Sequence, residues 1–324
     1  MRVAILDDYH NAALNLADWS PVREKAEIEV FTDHLSDPKE IIQRLKEFEV
    51  VVCMRERTPF PRALIEKLPK LELLAITGMG TRAFDLEAAT EYGVTVCGTK
   101  GKIYGAIESE LAWGLILALA RDIPGGDKVI RQGGWVSRIG VMLHGKRLGV
   151  IGLGRIGAKV AGFGKAFGME VGAWSQNLTP ERCREVGVEH LELGELLRRS
   201  DVISIHLVLS ERTEGLIGRQ ELSLMKPSAL LVNISRGPIV DEAALIEALE
   251  AGTIGGAGLD VFDQEPLPPD HPLRRAERCV LTPHIGYVAD GSYEGFYAQS
   301  AENVRAYLDG GLIPVLNPDI LDKD

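Results

Sequence analysis

The chain has 324 residues, of which 45% are hydrophobic and 26% charged, and its 47 acidic and 36 basic residues give a net charge of −11. This length suffices for two ordinary domains, and the acidic balance disfavours a nucleic-acid-binding surface, which needs clustered Lys and Arg. No apolar run is long enough for a membrane span or a signal peptide, and the four cysteines show neither disulfide nor zinc spacing. We therefore expect a cytoplasmic globular protein that carries no metal site.

The first hundred residues alternate between short apolar runs and amphipathic stretches. The predicted elements are strands at 2–6, 27–31, 50–54 and 73–76 and helices at 38–48 and 64–68. The run Val-Val-Val-Cys-Met at 50–54 is typical of a parallel strand that is covered on both faces. This alternation predicts a small doubly wound α/β domain.

A second and stronger alternation begins near residue 100. The predicted elements are helices at 108–121 and 155–167 and strands at 147–151, 170–173, 202–205, 229–234, 257–261 and 280–281. A last helix is predicted at 292–308. The two halves of the chain therefore share one architecture, and the expected fold class is α/β with two doubly wound domains.

A glycine motif, Gly152-Leu-Gly154-Arg-Ile-Gly157, joins a predicted strand to the following helix. Gly152 permits a tight turn, Gly154 lets the backbone approach a pyrophosphate, and Gly157 lets helix and strand pack closely. The start of the helix, with Arg155 and Ile156, offers N–H groups and a partial positive charge to phosphates. This context predicts a dinucleotide site, although a glycine-rich turn without a ligand would contain the same residue types.

The position expected to bind the adenosine ribose lacks its usual carboxylate. In NAD enzymes an Asp or Glu at the end of the next strand holds the 2′-hydroxyl, but here the chain reads Ser175-Gln176-Asn177. No Arg or Lys stands beside Ser175 in the sequence to attract a 2′-phosphate either. These three residues are the candidates on the ribose side, and the expected cofactor is NAD or NADP, with neither favoured.

Three reactive side chains each follow an apolar predicted strand. Arg236 follows one strand, Glu265 lies shortly after Asp260 at the end of the next, and His284 follows a third. Ligands of doubly wound sheets lie beyond the carboxyl ends of the strands, so these groups are expected to converge on one site.

The residue types suit the transfer of a hydride to a 2-oxo acid. A guanidinium binds a carboxylate through two parallel hydrogen bonds, which assigns Arg236 to the acid group. His284 can protonate the carbonyl oxygen as the hydride arrives, and Glu265 would fix the tautomer of the ring and favour the imidazolium. Asp260 is placed to accept a hydrogen bond from the nicotinamide carboxamide.

Each of these residues also has a structural alternative. Arg236 could cap a strand end or pair with Asp241, which is itself expected to be the N-cap of the next helix. Glu265 could be a solvated loop residue, and His284 an ordinary loop histidine. His206, which also follows a predicted strand, is expected to be a structural or cofactor-adjacent histidine rather than a second acid.

The whole set of motifs resembles the D-isomer-specific 2-hydroxyacid dehydrogenase family. The matching stretches are 149–157, 206–209, 225–237, 258–267 and 283–286. Ser235, within the third stretch, is a further candidate for cofactor binding. The resemblance implies a Rossmann-type cofactor domain at 101–289, inserted into a flavodoxin-like substrate domain made of 1–100 and 290–324. It also implies the Arg–Glu–His roles and a homodimer, with 108–121 and the loop around Trp135 in the contact.

The resemblance implies substrate-binding residues as well. The loop Thr77-Gly-Met-Gly-Thr81 would offer the backbone N–H groups of Met79 and Gly80 to a substrate carboxylate. Arg55 and Arg57 follow a predicted strand and could face the substrate or be solvated. Val208 stands where the family usually has proline, and together with Met79 this leaves the size of the acid open.

The expected substrate is therefore a small 2-oxo or 2-hydroxy acid, such as glyoxylate or hydroxypyruvate, which is interconverted with the D-2-hydroxy acid. The alternative function is a nucleotide-sensing binding protein, like the co-repressors that share this fold. Such a protein could keep all three candidate catalytic residues, so the sequence leaves both functions open.

Overall fold

The computed structural model describes residues 1–100, 105–135 and 138–322. The chain divides into two compact units, Met1–Ile103 with Ala289–Asp324 and Tyr104–Val288, so that the second unit is inserted between two segments of the first. Each unit contains one parallel β-sheet with helices.

The elements are numbered in chain order. The strands are β1 (Arg2–Ile5), β2 (Glu27–Val30), β3 (Val50–Cys53), β4 (Leu73–Ile76), β5 (Thr95–Gly98), β6 (Arg147–Ile151), β7 (Glu170–Trp174), β8 (Glu189–His190), β9 (Val202–Ile205), β10 (Leu230–Asn233), β11 (Gly256–Leu259) and β12 (Cys279–Leu281). The α-helices are α1 (Ala13–Leu16), α2 (Ser20–Arg23), α3 (Pro38–Leu45), α4 (Arg62–Ile65), α5 (Leu86–Glu91), α6 (Ala106–Arg121), α7 (Ile123–Arg131), α8 (Arg155–Ala166), α9 (Pro180–Val186), α10 (Leu193–Arg199), α11 (Arg219–Leu224), α12 (Glu242–Glu250) and α13 (Asp290–Leu308). Short 3₁₀ turns lie at Gly237–Ile239, Pro272–Arg275 and Pro318–Asp322.

The first unit contains a five-stranded sheet in the order β2-β1-β3-β4-β5, which is the flavodoxin order. Its central strands β3 and β4 are buried at every position, as their continuous apolar sequences predict. The predicted helix at 64–68 lies two residues earlier in the structure, as α4. Sequence periodicity missed α5, because six residues are too few to show a helical period, and β5, because Thr-Val-Cys-Gly is not a continuous apolar run like that of β4.

The second unit contains a seven-stranded sheet in the order β12-β11-β10-β9-β6-β7-β8. Numbered from β6 this order is 7-6-5-4-1-2-3, the arrangement of dinucleotide-binding sheets extended by one strand. Successive residues of β10 alternate between two cores: Leu230 and Val232 pack with α6 and α8, and Leu231 packs on the opposite side with α10 and α12. The predicted fold of two doubly wound α/β sheets is therefore confirmed.

Local sequence signals account for several helix starts. Asp37, Asp85 and Thr179 cap α3, α5 and α9 by accepting hydrogen bonds from backbone N–H groups of the first turn. Asp241 caps α12 in the same way, with the N–H of Ala244 at 3.0 Å, as predicted. Among the described helices, none has both the length and the apolar character needed to cross a membrane.

Candidate active site

The glycine motif lies between β6 and α8, at the strand where the order of the sheet reverses. Gly152 has φ +99°, and a Cβ there would lie 2.6 Å from the carbonyl oxygen of His206. At Gly157 a Cβ would lie 2.0 Å from the carbonyl oxygen of Gly152. A side chain at either position would therefore force the turn apart, which explains both glycines.

Gly154 differs from the two other glycines of the motif, because nothing lies within 4 Å of the position where its Cβ would be. It is exposed and immediately precedes Arg155 and Ile156, which open α8. The N–H groups of a first helical turn have no acceptor within the helix, and they favour an anion. Open space against these donors is what a pyrophosphate requires, so the loop fits a dinucleotide.

The turn after β10 holds Arg236 through several hydrogen bonds. The Asn233 side chain donates to the Arg236 carbonyl at 2.9 Å and accepts from the Ser235 N–H at 3.0 Å. The Ser235 hydroxyl donates to the carbonyl of Ile205 at the end of β9, at 2.8 Å. Half-buried Arg236 also donates from Nη1 to the Ser235 carbonyl at 2.8 Å. Ser235 therefore fixes the turn that carries Arg236, a contribution that sequence reasoning did not assign to it.

Asp260, fully buried at the end of β11, organises the loop that carries the candidate histidine. Its Oδ1 accepts from the Thr282 hydroxyl at 2.6 Å and the Ile285 N–H at 2.8 Å, and its Oδ2 accepts from the Gly286 N–H at 2.8 Å. Burial raises the pKa of Asp260, while these hydrogen bonds act in the opposite direction. Sequence reasoning missed Thr282, whose only signal was its place directly after β12.

Glu265 and His284 form a direct pair. Glu265 Oε2 lies 2.5 Å from His284 Nδ1, and Glu265 Oε1 accepts from the Phe262 N–H at 3.0 Å. His284 has φ +52° and is 30% exposed, and its ring meets the Tyr287 ring edge-on at 5.7 Å. Because Nδ1 is engaged by the carboxylate, Nε2 is the ring nitrogen that can exchange a proton with a ligand.

The loops that carry Arg236 and Glu265 run directly against each other. A Cβ at Gly237 would lie 2.1 Å from the backbone carbon of Phe262, so only glycine permits this approach. Phe262 in turn donates its N–H to Glu265. The three predicted groups thus lie on adjoining loops at the carboxyl ends of β10, β11 and β12, and one backbone contact links two of these loops.

The ribose-side residues make a contact that the sequence does not show. Gln176 donates from Nε2 to the carbonyl of Arg212 at 2.9 Å, and Arg212 donates from Nη2 to Asn177 Oδ1 at 3.4 Å. Arg212 follows β9 and is 35 residues from Asn177 along the chain. No basic residue stands beside Ser175 in the sequence, but the fold brings one to this edge.

His206 follows β9 and lies next to the glycine motif through its backbone. Its Nε2 lies 2.8 Å from the hydroxyl of Ser204. Burial lowers the pKa of His206 to about 3, so its ring is neutral at neutral pH. A neutral imidazole of this kind is a poor proton donor, which agrees with the structural reading of this histidine.

In the first unit, Arg55 lies against the predicted substrate loop. Arg55 has φ +55°, and its N–H donates to the Thr77 hydroxyl at 2.9 Å. A Cβ at Gly78 would lie 2.4 Å from Arg55 Nη1, and one at Gly80 would lie 2.4 Å from the carboxylate of Glu56. The guanidinium and the glycine loop after β4 are therefore neighbours, and the Met79 side chain beside them is 42% exposed.

Arg57 is directed elsewhere in the same unit. Its Nη1 donates to the carbonyl of Asp7 at 2.9 Å, and its guanidinium lies 4.3 Å from the centre of the Tyr9 ring. These contacts tie Arg57 to the loop after β1.

Comparison with known proteins agrees with this geometry. Residues 113–286 match the family described as D-isomer specific 2-hydroxyacid dehydrogenase, NAD binding domain. A glyoxylate reductase from Thermococcus litoralis is 38% identical over 91% of this chain and 92% of its own. A D-3-phosphoglycerate dehydrogenase from Methanocaldococcus jannaschii is 36% identical over 96% of this chain and 58% of its own. The crystal structure of a phosphoglycerate oxidoreductase from Vibrio cholerae O395 superposes with a TM-score of 0.90 at 35% identity, over 96% of this chain and all of that one.

The fold and the matched domain define a dehydrogenase that uses a nicotinamide dinucleotide. The chain belongs to the D-isomer-specific 2-hydroxyacid dehydrogenase family, as its motifs predict.

Proposed function

We propose that the protein transfers a hydride reversibly between NAD(P)H and a small 2-oxo acid, forming the D-2-hydroxy acid. The observation that carries this proposal is the contact of 2.5 Å between Glu265 Oε2 and His284 Nδ1, on loops at the carboxyl ends of strands in the dinucleotide-binding sheet. A carboxylate–imidazole pair at this edge provides the proton that must accompany the hydride.

The glycine motif and the start of α8 hold the dinucleotide, with Asp260 and Ser235 near its nicotinamide end. When bound, the nicotinamide supplies or removes the hydride. Arg236 binds the carboxylate of the acid through two parallel hydrogen bonds, which fixes the orientation of the carbonyl. His284 gives a proton from Nε2 to the carbonyl oxygen as its carbon is reduced, and takes the hydroxyl proton in the reverse direction. Glu265 orients the ring and stabilises the imidazolium.

The substrate side is assigned to Arg55 and to the backbone N–H groups of Met79 and Gly80. The closeness of the Arg55 guanidinium to Gly78 supports this assignment, because it places a cation beside a turn whose φ of +96° requires glycine. Glyoxylate and hydroxypyruvate are the first acids to test, and the names of the relatives support a small acid.

A homodimer and a cytoplasmic location remain predictions. Support for a dimer comes from large apolar side chains that the second unit leaves exposed after α7, namely Trp135 at 87%, Ile139 at 99% and Met142 at 70%. Contiguous exposed apolar patches mark interaction surfaces, and these three side chains lie within eight positions of one another along the chain.

The test is a spectrophotometric screen of NADH and NADPH oxidation with glyoxylate, hydroxypyruvate, pyruvate and larger 2-oxo acids. We expect turnover with at least one of them and formation of the D isomer, identified by chiral chromatography. If cofactor binds but no acid is reduced, the nucleotide-sensing alternative replaces the enzyme.

Replacing the proposed carboxylate-binding residue separates substrate binding from folding. Arg236→Lys should raise KM for the oxo acid by about tenfold, because the bidentate contact becomes a single one, while the melting temperature changes little. A lower melting temperature with unchanged kinetics would assign Arg236 a purely structural role.

A further inference from the structure

The end of β7 is the part of the dinucleotide-binding sheet where the adenosine ribose is recognised. Ser175, Gln176 and Asn177 occupy it and carry no charge. A carboxylate here would accept a hydrogen bond from the 2′-hydroxyl of NAD and repel a 2′-phosphate. Its absence removes the group that excludes NADP, but a preference for NADP requires a cation as well.

Arg212 supplies a cation at this edge of the sheet. Its guanidinium donates to Asn177 Oδ1 at 3.4 Å, and its backbone carbonyl accepts from Gln176 Nε2 at 2.9 Å. The residues at the end of β7 therefore touch both the main chain and the side chain of Arg212. The Asn177 amide also carries two N–H donors, which suit a phosphate oxygen.

Several hydrogen bonds of Thr213 fix the backbone of the loop that carries Arg212. Thr213 is 6% exposed, and its hydroxyl donates to the Val208 carbonyl and accepts from the Ser210 N–H, both at 2.8 Å. The Thr213 N–H donates to the Ser210 carbonyl at 2.9 Å. These bonds close the turn around Arg212, so the guanidinium extends from a fixed backbone.

Charge distinguishes Arg212 from several other arginines of this unit. Arg147, Arg182 and Arg199 each pair with a glutamate. Within the described residues, Arg212 forms no ion pair, although Glu211 and Glu214 lie on the same loop, and its partner is a neutral amide. A guanidinium that no carboxylate neutralises is well suited to bind a phosphate dianion.

We propose that Arg212 is the specificity-determining residue that makes the protein prefer NADP(H) to NAD(H), by binding the adenosine 2′-phosphate beside Asn177. The inference rests on the dinucleotide site of the proposed function, but not on the identity of the oxo acid or on the catalytic pair.

The test measures binding without turnover. Isothermal titration calorimetry of the full chain compares 2′,5′-ADP with 5′-AMP, two probes that differ by the 2′-phosphate alone and contain no nicotinamide. We expect 2′,5′-ADP to bind more tightly by about tenfold or more, the effect of a charge-assisted contact at an exposed site. Arg212→Gln should abolish this difference and leave the 5′-AMP affinity within about twofold, whereas Arg212→Lys should keep part of it.

Two control variants separate a local contact from a general charge effect. Glu211→Gln removes a charge from the same exposed loop, and Arg23→Gln removes an exposed arginine from α2 in the other unit. Arg23→Gln should prefer 2′,5′-ADP as strongly as the wild type does. Glu211→Gln should also retain the preference for 2′,5′-ADP. Lowering the pH through about 6 should reduce the wild-type preference for 2′,5′-ADP over 5′-AMP, as the 2′-phosphate takes up its proton, whereas the affinity ratio of Arg212→Gln should not change.

Each outcome decides the inference. Equal affinity of the wild type for the two probes would overturn the NADP preference, and a preference that survives in Arg212→Gln would overturn the role of Arg212. Reduction of oxo acids with NADH together with equal probe affinities would refute this inference and keep the proposed function. Tight 2′,5′-ADP binding without reduction of any acid would support this inference and refute the proposed function.

Discussion

The two sheets of the protein have the same parallel architecture, but the turns that follow their first strands, β6 and β1, differ in whether the chain itself occupies the anion position. After β6 the glycine motif leaves open space at Gly154, in front of the first turn of α8. After β1 the chain places Asp8 instead, and its carboxylate accepts from the N–H groups of Ala12 and Ala13 at 3.0 and 2.9 Å. One turn is thus available to the phosphates of a ligand, and the other already contains an anion of the chain itself.

The same contrast extends to the histidine–carboxylate pairs. In the first unit His34 Nδ1 lies 2.8 Å from Asp7 Oδ1, and Asp7 is 2% exposed and also accepts from the Thr58 hydroxyl. In the second unit the pair of Glu265 and His284 is about one third exposed. The comparison teaches that strand topology offers a site at both sheets, while the local residues decide which of them a ligand can use.

The largest expected effect tests which pair performs the chemistry. His284→Ala should lower kcat by about 10²-fold or more, because the proton donor is lost, while cofactor affinity changes little. His34→Ala is the matched control and should leave kcat nearly unchanged. Steady-state kinetics with the best acid of the screen measures both. Equal losses in the two variants would remove the proposed distinction between the pairs.

A second substitution places a carboxylate in the turn after β6, as Asp8 already does in the turn after β1. Gly154→Asp should weaken dinucleotide binding by about tenfold or more, because a carboxylate would compete with the phosphates for the first turn of α8. Gly154→Ala is the control for bulk without charge: its Cβ meets no protein atom within 4 Å but enters the space proposed for the pyrophosphate, so it should weaken binding less than Gly154→Asp does. Calorimetric titration with NADH and NADPH checks both, and unaltered binding by Gly154→Asp would place the phosphates elsewhere.

The reverse substitution addresses the turn after β1. Asp8→Ala should lower the free energy of unfolding by about 1–2 kcal/mol, because the N–H groups of Ala12 and Ala13 lose their acceptor. Dinucleotide affinity should not change. Asp8→Asn keeps an acceptor oxygen and should lower the free energy of unfolding much less than Asp8→Ala does. Urea unfolding monitored by circular dichroism measures the difference, and a clear loss of cofactor affinity in Asp8→Ala would contradict the comparison.

The smallest effect concerns His206, which follows β9 beside the glycine motif. Its pKa is lowered to about 3 in the folded chain, so below about pH 6.5 the unfolded chain takes up this proton first. Stability should therefore fall as the pH drops from about 6.5 towards 3. Between pH 6 and 5 the wild type should lose about 1 kcal/mol more than His206→Asn, which has no titrating ring. Parallel urea unfolding series at these pH values test this, and identical slopes would show that His206 does not contribute.

Sequence reasoning reached the fold and the candidate groups through signals that are local. The glycine motif, the apolar strands and the polar residues directly after them lie within a few positions of one another, and the rule for doubly wound sheets supplies their common edge. Elements without such a signal were missed: β5 has only two apolar residues in succession, and α9 and α11 are short helices of seven and six residues.

Contacts between residues far apart in the sequence could not be predicted from these local signals. Arg212 and Asn177 are 35 positions apart, and nothing in the sequence between them indicates that their side chains meet. Asp260 was assigned to the nicotinamide from its position after β11, whereas its bonds to Thr282, Ile285 and Gly286 depend on how a later loop folds back. Such side-chain bonding follows from tertiary packing and not from spacing.

The close passage of Gly237 against Phe262 has a consequence for how such proteins diversify. Because the turn of Arg236 cannot move without displacing the backbone that leads to Glu265, these loops are expected to be inherited as one block. The groups proposed to recognise the acid, Arg55, Met79 and Gly80, belong to the other unit, on the loops that follow β3 and β4. Exchange of the loops at 54–58 and 77–81 is therefore a route to new substrate ranges in which the proton-transfer apparatus is retained.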